Sequence, residues 1–222
     1  MRWGITLLIG PLVFWAYRSL VPVVASQFDL LTRAFYPILI NYGPAALFLA
    51  SMFLLHRKLF FPDIKFVGQF NRKQVLAGMI AISLVYLAAY GAAWFLGQPR
   101  EPSMVSLYQF RTGPQIAVLI GTLLVLPPIV EELAFRHFLL STLPFRSSNA
   151  VAVVAVLASA ALFAYYHHQY VYRTTDLTIF GVGAILAIAR IRSEGLLLPI
   201  GLHSWAIAFA LVCNQILASL GR

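Results

Sequence analysis

Three ionisable residues, Glu131, His167 and His203, fall on three separate apolar stretches of this chain. One carboxyl and two imidazoles gathered in a bundle core could hydrolyse a carbonyl compound by two routes. In the first, the glutamate takes a proton from water and the histidines stabilise the oxyanion. In the second, all three hold a zinc ion that activates the water. Spacing leaves both open, but no His-Glu-x-x-His pattern occurs. Zinc is therefore the less favoured route, and no cofactor is expected.

The glutamate has a neighbour of its own kind. Glu131 and Glu132 stand side by side in Leu126-Pro-Pro-Ile-Val-Glu-Glu-Leu-Ala-Phe-Arg-His-Phe-Leu-Leu140, in a chain with only seven acidic residues. A charge at bilayer depth costs about 2.5–3.5 kcal/mol on insertion scales. Glu132 and Arg136 are spaced i, i+4, so on a helix they share a face and can pair. Glu131 points about 100° away and has no local partner. The expected division is a supporting Glu132–Arg136 pair and a free acid or base at Glu131. The alternative is an interfacial helix end where both carboxylates meet water. His167 closes an apolar run beside Tyr165, Tyr166 and Tyr170, a place where an interfacial histidine is also common. His203 lies inside the last apolar run and needs a polar partner there. His137 is expected near lipid headgroups, and His56 is expected to be solvated in a basic loop. The Gly-x-Ser and intramembrane Asp-pair signatures of serine-type and aspartate-type intramembrane proteases do not occur.

The elements that must position these groups are membrane helices. The chain is 61% hydrophobic and 10% charged, with mean hydropathy +0.84; soluble domains carry about 25% charged residues. Continuous apolar runs predict an all-α polytopic bundle. Spans are expected over residues 4–25, 34–55, 74–97, 114–143, 149–167, 176–192 and 196–219. The fourth is long and carries Pro127-Pro128, which predicts a broken helix and a total of seven or eight spans. The N-terminus has signal-peptide character but is read as an uncleaved first span. The chain is treated as one membrane domain, 1–222, with N-terminal spans over 1–113. Loop 56–73 carries Arg57, Lys58, Lys65, Arg72 and Lys73 against Asp63, so it and the N-terminus are expected in the cytoplasm. With seven spans, Arg2, Arg146, Arg190 and Arg192 join them, and Arg33, Arg100, Arg111, Arg173 and Arg222 lie outside. The net charge of +9 thus reads as loop anchoring, and no nucleic-acid partner is expected. The single cysteine, Cys213, excludes an internal disulfide.

Glu131-Glu132-Leu-Ala-Phe-Arg136 resembles the EExxxR motif of the CAAX-protease and bacteriocin-processing family (Abi, or type II CAAX endopeptidases). Phe163-Ala-Tyr-Tyr-His167 resembles its FxxxH motif, and His203 after Leu-Leu-Pro-Ile-Gly-Leu resembles its third. The resemblance covers residues 114–219. It implies a glutamate-dependent intramembrane endopeptidase cutting a membrane-anchored or lipidated peptide. Glu131 would activate water, His167 would assist, and His203 would help hold the oxyanion, with Glu132, Arg136 and Phe163 in support. The family places Asn or Asp four residues after the third histidine, where this chain has Ile207. Asn214, about 16 Å further along that helix, is too distant to substitute, and Ser204 and Gln215 are the other polar neighbours. The compact size fits a prokaryotic cell membrane. Two competing functions are a non-catalytic membrane-binding or immunity relative, which Ile207 motivates, and a small proton-coupled transporter, since intramembrane Glu and His also relay protons.

Overall fold

A computed structural model describes residues 2–60, 62 and 64–221, leaving aside the side chains of 2–6. The expectations for Asp63, Arg222 and the Arg2 side chain lie outside the described residues. All regular structure among the described residues is helical: α1 Arg2–Ala25, α2 Leu30–Phe35, α3 Pro37–Leu59, α4 Arg72–Phe95, α5 Pro102–Ser106, α6 Gly113–Glu131, α7 Asn149–Tyr165, α8 Arg173–Ser193 and α9 Leu197–Ser219. Among the described residues six stretches are long and apolar enough to cross a membrane, the fourth running from Gly113 to Thr142. The 17-residue α7 is shorter but equally apolar. At 1.5 Å per residue it reaches about 25 Å.

Starts and stops follow local chemistry. Asn71 and Gln74 form a reciprocal capping box at the head of α4. Ser148 accepts from the Val151 N–H to open α7, and the Asp29 carboxylate does the same for Thr32 in α2. α6 runs straight through Pro127 and Pro128. Pro128 cannot donate to the Leu124 carbonyl, and the Ser204 hydroxyl of α9 donates to that oxygen instead, at 2.9 Å. Side chains of neighbouring helices commonly satisfy backbone groups that prolines release in membranes. The expected interruption takes the form of a π-helical segment, Glu132–Leu139, followed by a 3₁₀ turn, Leu140–Thr142.

Two apolar clusters form the core. One joins Phe14 and Tyr17 of α1, Leu49 and Phe53 of α3, and Leu133, Phe135 and Phe138 of the π segment. The other joins Ile82 of α4, Leu186 of α8, and Leu198 and Leu202 of α9. The outward faces carry exposed leucines and aromatics such as Leu47, Leu84, Leu87 and Phe95. A lipid-facing surface needs that inversion, since hydrocarbon rather than water is the solvent.

The connections meet at two ends. At one, Gln69 N–H donates to Ser193 O at 2.6 Å and Leu196 N–H donates to Phe66 O at 2.7 Å. Arg146 pairs there with Glu194. Gly68, at φ +72°, permits this closure; a Cβ on it would strike Ser193 O and the Gly195 backbone. At the other end, Glu101 accepts from the Val171 and Tyr172 N–H groups, and Arg111 donates to Ala34 O. The seven long helices therefore alternate in direction. Arg190, counted among the loop charges in the sequence, is instead buried in the last turn of α8.

Candidate active site

Adjacent residues of the α6–π junction face different surroundings. Glu132 is wholly buried, and its Oε2 lies 3.2 Å from Arg136 Nε, also wholly buried. Arg136 continues inward: Nη2 donates to Gly183 O of α8 at 3.0 Å, and the guanidinium lies over the Phe163 ring, 4.3 Å from its centroid. An acid, a carbonyl and a π face thus surround this cation. The interfacial alternative does not hold for this pair, which sits in the bundle core.

Glu131 turns the other way, into a cavity of about 290 Å³. Its Oε1 accepts from the Tyr42 hydroxyl of α3 at 2.8 Å. Its Oε2 lies 3.7 Å from His167 Nε2 and 3.7 Å from His203 Nε2. Both imidazoles are fixed through their other nitrogens. His167 Nδ1 donates to Phe163 O at 2.6 Å. That contact gives the Phe-x-x-x-His spacing its physical meaning, a ring folded back onto the carbonyl one turn earlier. His203 Nδ1 donates to Glu132 Oε1 at 2.9 Å. Each acceptor can only accept, so each ring bears a proton on Nδ1 and turns Nε2 toward Glu131. Phe163 stands edge-on to His203, with centroids 5.7 Å apart.

Tyr170 stacks parallel on His167 and lines the same cavity. Burial first, then the Glu131 charge, pushes its hydroxyl up to about 12, so it stays neutral at working pH. Ile207 also lines the cavity, leaving the wall apolar where the resembled family has an amide or acid. The polar residues weighed as substitutes are engaged or turned away. Ser204 donates to main-chain oxygens, Gln215 is exposed, and Asn214 lines a neighbouring cavity with Tyr86, Tyr90 and Trp94. Tyr42 is the polar group that reaches Glu131, and it was missed in the sequence. The available signal was Asn41-Tyr42, a polar pair inside an apolar run.

Two histidine expectations are corrected. His56 belongs to the last turn of α3 and is buried, not solvated in a loop. His137 is wholly buried inside the protein, with Nε2 3.0 Å from His56 Nδ1 and its ring edge-on to Phe53. The basic loop begins one turn later than its charges imply, and the π segment carries His137 against α3. Among the described residues no group of three His, Cys, Asp or Glu is disposed to hold a metal ion.

These features define an integral membrane protein that keeps an ionisable site inside its helical bundle. Residues 113–209 match the family model described as type II CAAX prenyl endopeptidase Rce1-like. An Escherichia coli protein described as an uncharacterized 24.3 kDa protein is 32% identical over 173 residues, covering 78% of each chain. No solved structure matches the chain. The chain belongs to the Rce1-like family. That membership supports an intramembrane protease of the CAAX type, a hydrolase working in the bilayer.

Proposed function

We propose that this chain hydrolyses a peptide bond in a membrane-anchored or lipidated peptide or protein, using a water activated by Glu131. The observation that carries this reading is the approach of two imidazole Nε2 atoms to one oxygen of Glu131, each at 3.7 Å. Polar groups at such separations are commonly bridged by a water. Glu131 takes a proton from that water as its oxygen attacks the carbonyl carbon. His203 hydrogen-bonds the oxyanion through its Nε2 edge, and His167 assists from the other side. Glu131 then passes the proton to the amine nitrogen as the C–N bond breaks. The products are a carboxylate-terminated peptide and a free amine. Tyr42 acts as a positioning residue through its bond to Glu131. Glu132, Arg136 and Phe163 hold the histidines in register. No metal or cofactor takes part in this scheme.

The cavity suits a peptide segment. About 290 Å³ far exceeds the roughly 10–15 Å³ that one water needs on the same measure. Tyr86, Met104, Tyr170, Ile179 and Ala210 also line the adjoining apolar cavity beside α4, α8 and α9. An apolar flank of the substrate, lipid or side chain, fits there. The whole chain, 1–222, acts as one domain in a prokaryotic cell membrane, with the N-terminus and loop 56–73 in the cytoplasm.

The test is cleavage of a prenylated reporter peptide by the purified chain in proteoliposomes. Glu131→Gln removes the base while keeping shape, and cleavage should fall by about 10²–10⁴-fold. His167→Ala should lose activity similarly. Unchanged cleavage by a folded Glu131→Gln protein overturns the reading.

A further inference from the structure

The cavity is lined by connections from one end of the bundle, and the charges differ sharply between the two ends. Its lining includes Ser103, Met104 and Leu107 from the α4–α6 connection, and Gln169 and Tyr170 from the α7–α8 connection. These connections belong to the end tied together by Glu101 and Arg111. That end carries Arg33, Arg100, Arg111 and Arg173, offset by Asp29, Glu101 and Asp176. Arg111 is further engaged by the Leu107 and Ala34 carbonyls. The opposite end carries Lys58, Lys65, Arg72, Lys73, Arg146 and Arg192, with Glu194 as the described acid against them. Short basic connections stay on the cytoplasmic side of a membrane.

We infer that the cavity faces away from the cytoplasm, so that the bond to be cut is presented in the outer leaflet. Resting on the protease reading, this narrows the substrate class. The substrate is a membrane-anchored peptide whose scissile segment has already crossed the bilayer. A lipidated tail presented from the cytoplasmic side meets the basic end, where the backbone contacts of Gly68, Ser193 and Leu196 close the bundle.

Sealed membrane vesicles of the two orientations, from cells expressing the full chain, separate the possibilities. A prenylated reporter peptide added from outside is cut by right-side-out vesicles, whereas sealed inverted vesicles cut it only after detergent opens them. Cleavage confined to sealed inverted vesicles overturns the inference and leaves the protease reading intact. Absence of cleavage from both preparations, even in detergent, counts against the protease reading instead, and a labelling experiment then decides the face. In a Cys213→Ser background, Gln169→Cys should react with a membrane-impermeant maleimide in intact cells, and Ser147→Cys only after permeabilisation. Ser26→Cys, exposed at the cavity end, repeats the first result should Gln169→Cys fail to accumulate. Labelling of Ser147→Cys in intact cells, or protection of both cavity-end cysteines, overturns the inference.

Discussion

Replacing Arg136 by methionine isolates what the buried pair does. The side chain is wholly buried, and its loss strands the Glu132 carboxylate in the core with His203 as its remaining partner. Breaking one side of a buried ion pair costs about 3–5 kcal/mol. Loss of the guanidinium from the Phe163 face adds to this, since a desolvated cation–π contact contributes about 2 kcal/mol. For a chain of this length each kcal/mol moves the midpoint by about 2–4 °C, so Arg136→Met should unfold at least about 6 °C below the parent in detergent. The double variant Glu132→Gln/Arg136→Met removes both charges. Replacing a whole buried pair by neutral groups is often near neutral or stabilising by about 1–4 kcal/mol, so most of the lost midpoint should return. Activity should not return with it, because the amide that replaces the Glu132 carboxylate is a weaker acceptor for His203. The assay pairs thermal unfolding by tryptophan fluorescence with reporter cleavage. A double variant as unstable as the single one refutes the pairing argument. Recovery of activity along with stability refutes the link from Glu132 to His203.

Tyr42→Phe removes one oxygen atom and the 2.8 Å bond to Glu131. A hydrogen bond to a charged group is worth about 1.5–3 kcal/mol, so kcat should fall by about 10- to 160-fold with KM little changed; equal loss in KM assigns Tyr42 to substrate binding. Ser204→Ala leaves the Leu124 carbonyl unmet beside Pro128. It should cost about 1–3 kcal/mol of stability, read as a lowered unfolding midpoint, and no loss places another donor at that carbonyl. Gly68→Ala puts a Cβ into a left-handed position against Ser193 O and Gly195. Strain of about 1–3 kcal/mol should appear in the same unfolding assay, with the cleavage rate of the folded fraction preserved. Dialysis against a chelator should leave cleavage unchanged, and loss restored by added zinc replaces the glutamate route with the metal route.

What could be read from the sequence was local. Apolar runs of membrane length predicted seven or eight spans; among the described residues six stretches are long and apolar enough to cross and α7 is a shorter apolar helix, because burial in lipid leaves little choice of structure. The Glu132–Arg136 pair was legible because an i, i+4 spacing fixes the geometry within one turn, and it survives even where that turn widens to a π-helix. The approach of His167 and His203 to Glu131 is long-range; their placement on three apolar segments allowed them to converge, and the family resemblance gave the three their roles. Tyr42 carries no such mark. It meets Glu131 across 89 positions of sequence, through the packing of α3 on α6. His56 and His137 misled for the same reason: each has polar neighbours in sequence, yet they lie 3.0 Å apart inside the protein. Neither Ser204 nor the Leu124 carbonyl looks functional alone, and the pair acquires meaning only from Pro128, whose missing N–H leaves that carbonyl for Ser204.

The two glutamates are chemically identical and adjacent, so their difference must come from what surrounds them. Offsetting one position turns Glu132 toward the cation and carbonyls of the core and leaves Glu131 facing a cavity. His203 joins the two environments, with Nδ1 on Glu132 and Nε2 toward Glu131. The proton on Nδ1 is fixed by an acid that itself is fixed by Arg136, so the tautomer offered to Glu131 depends on a pair that never reaches the cavity. A chain that kept Glu131 and both histidines but lost Glu132 would still hold every group near the water. It would lack the acceptor that orients the His203 ring. The costly second glutamate in the membrane is therefore accounted for by geometry: it is the nearest position from which a buried acid can hold His203 without occupying the cavity that Glu131 faces.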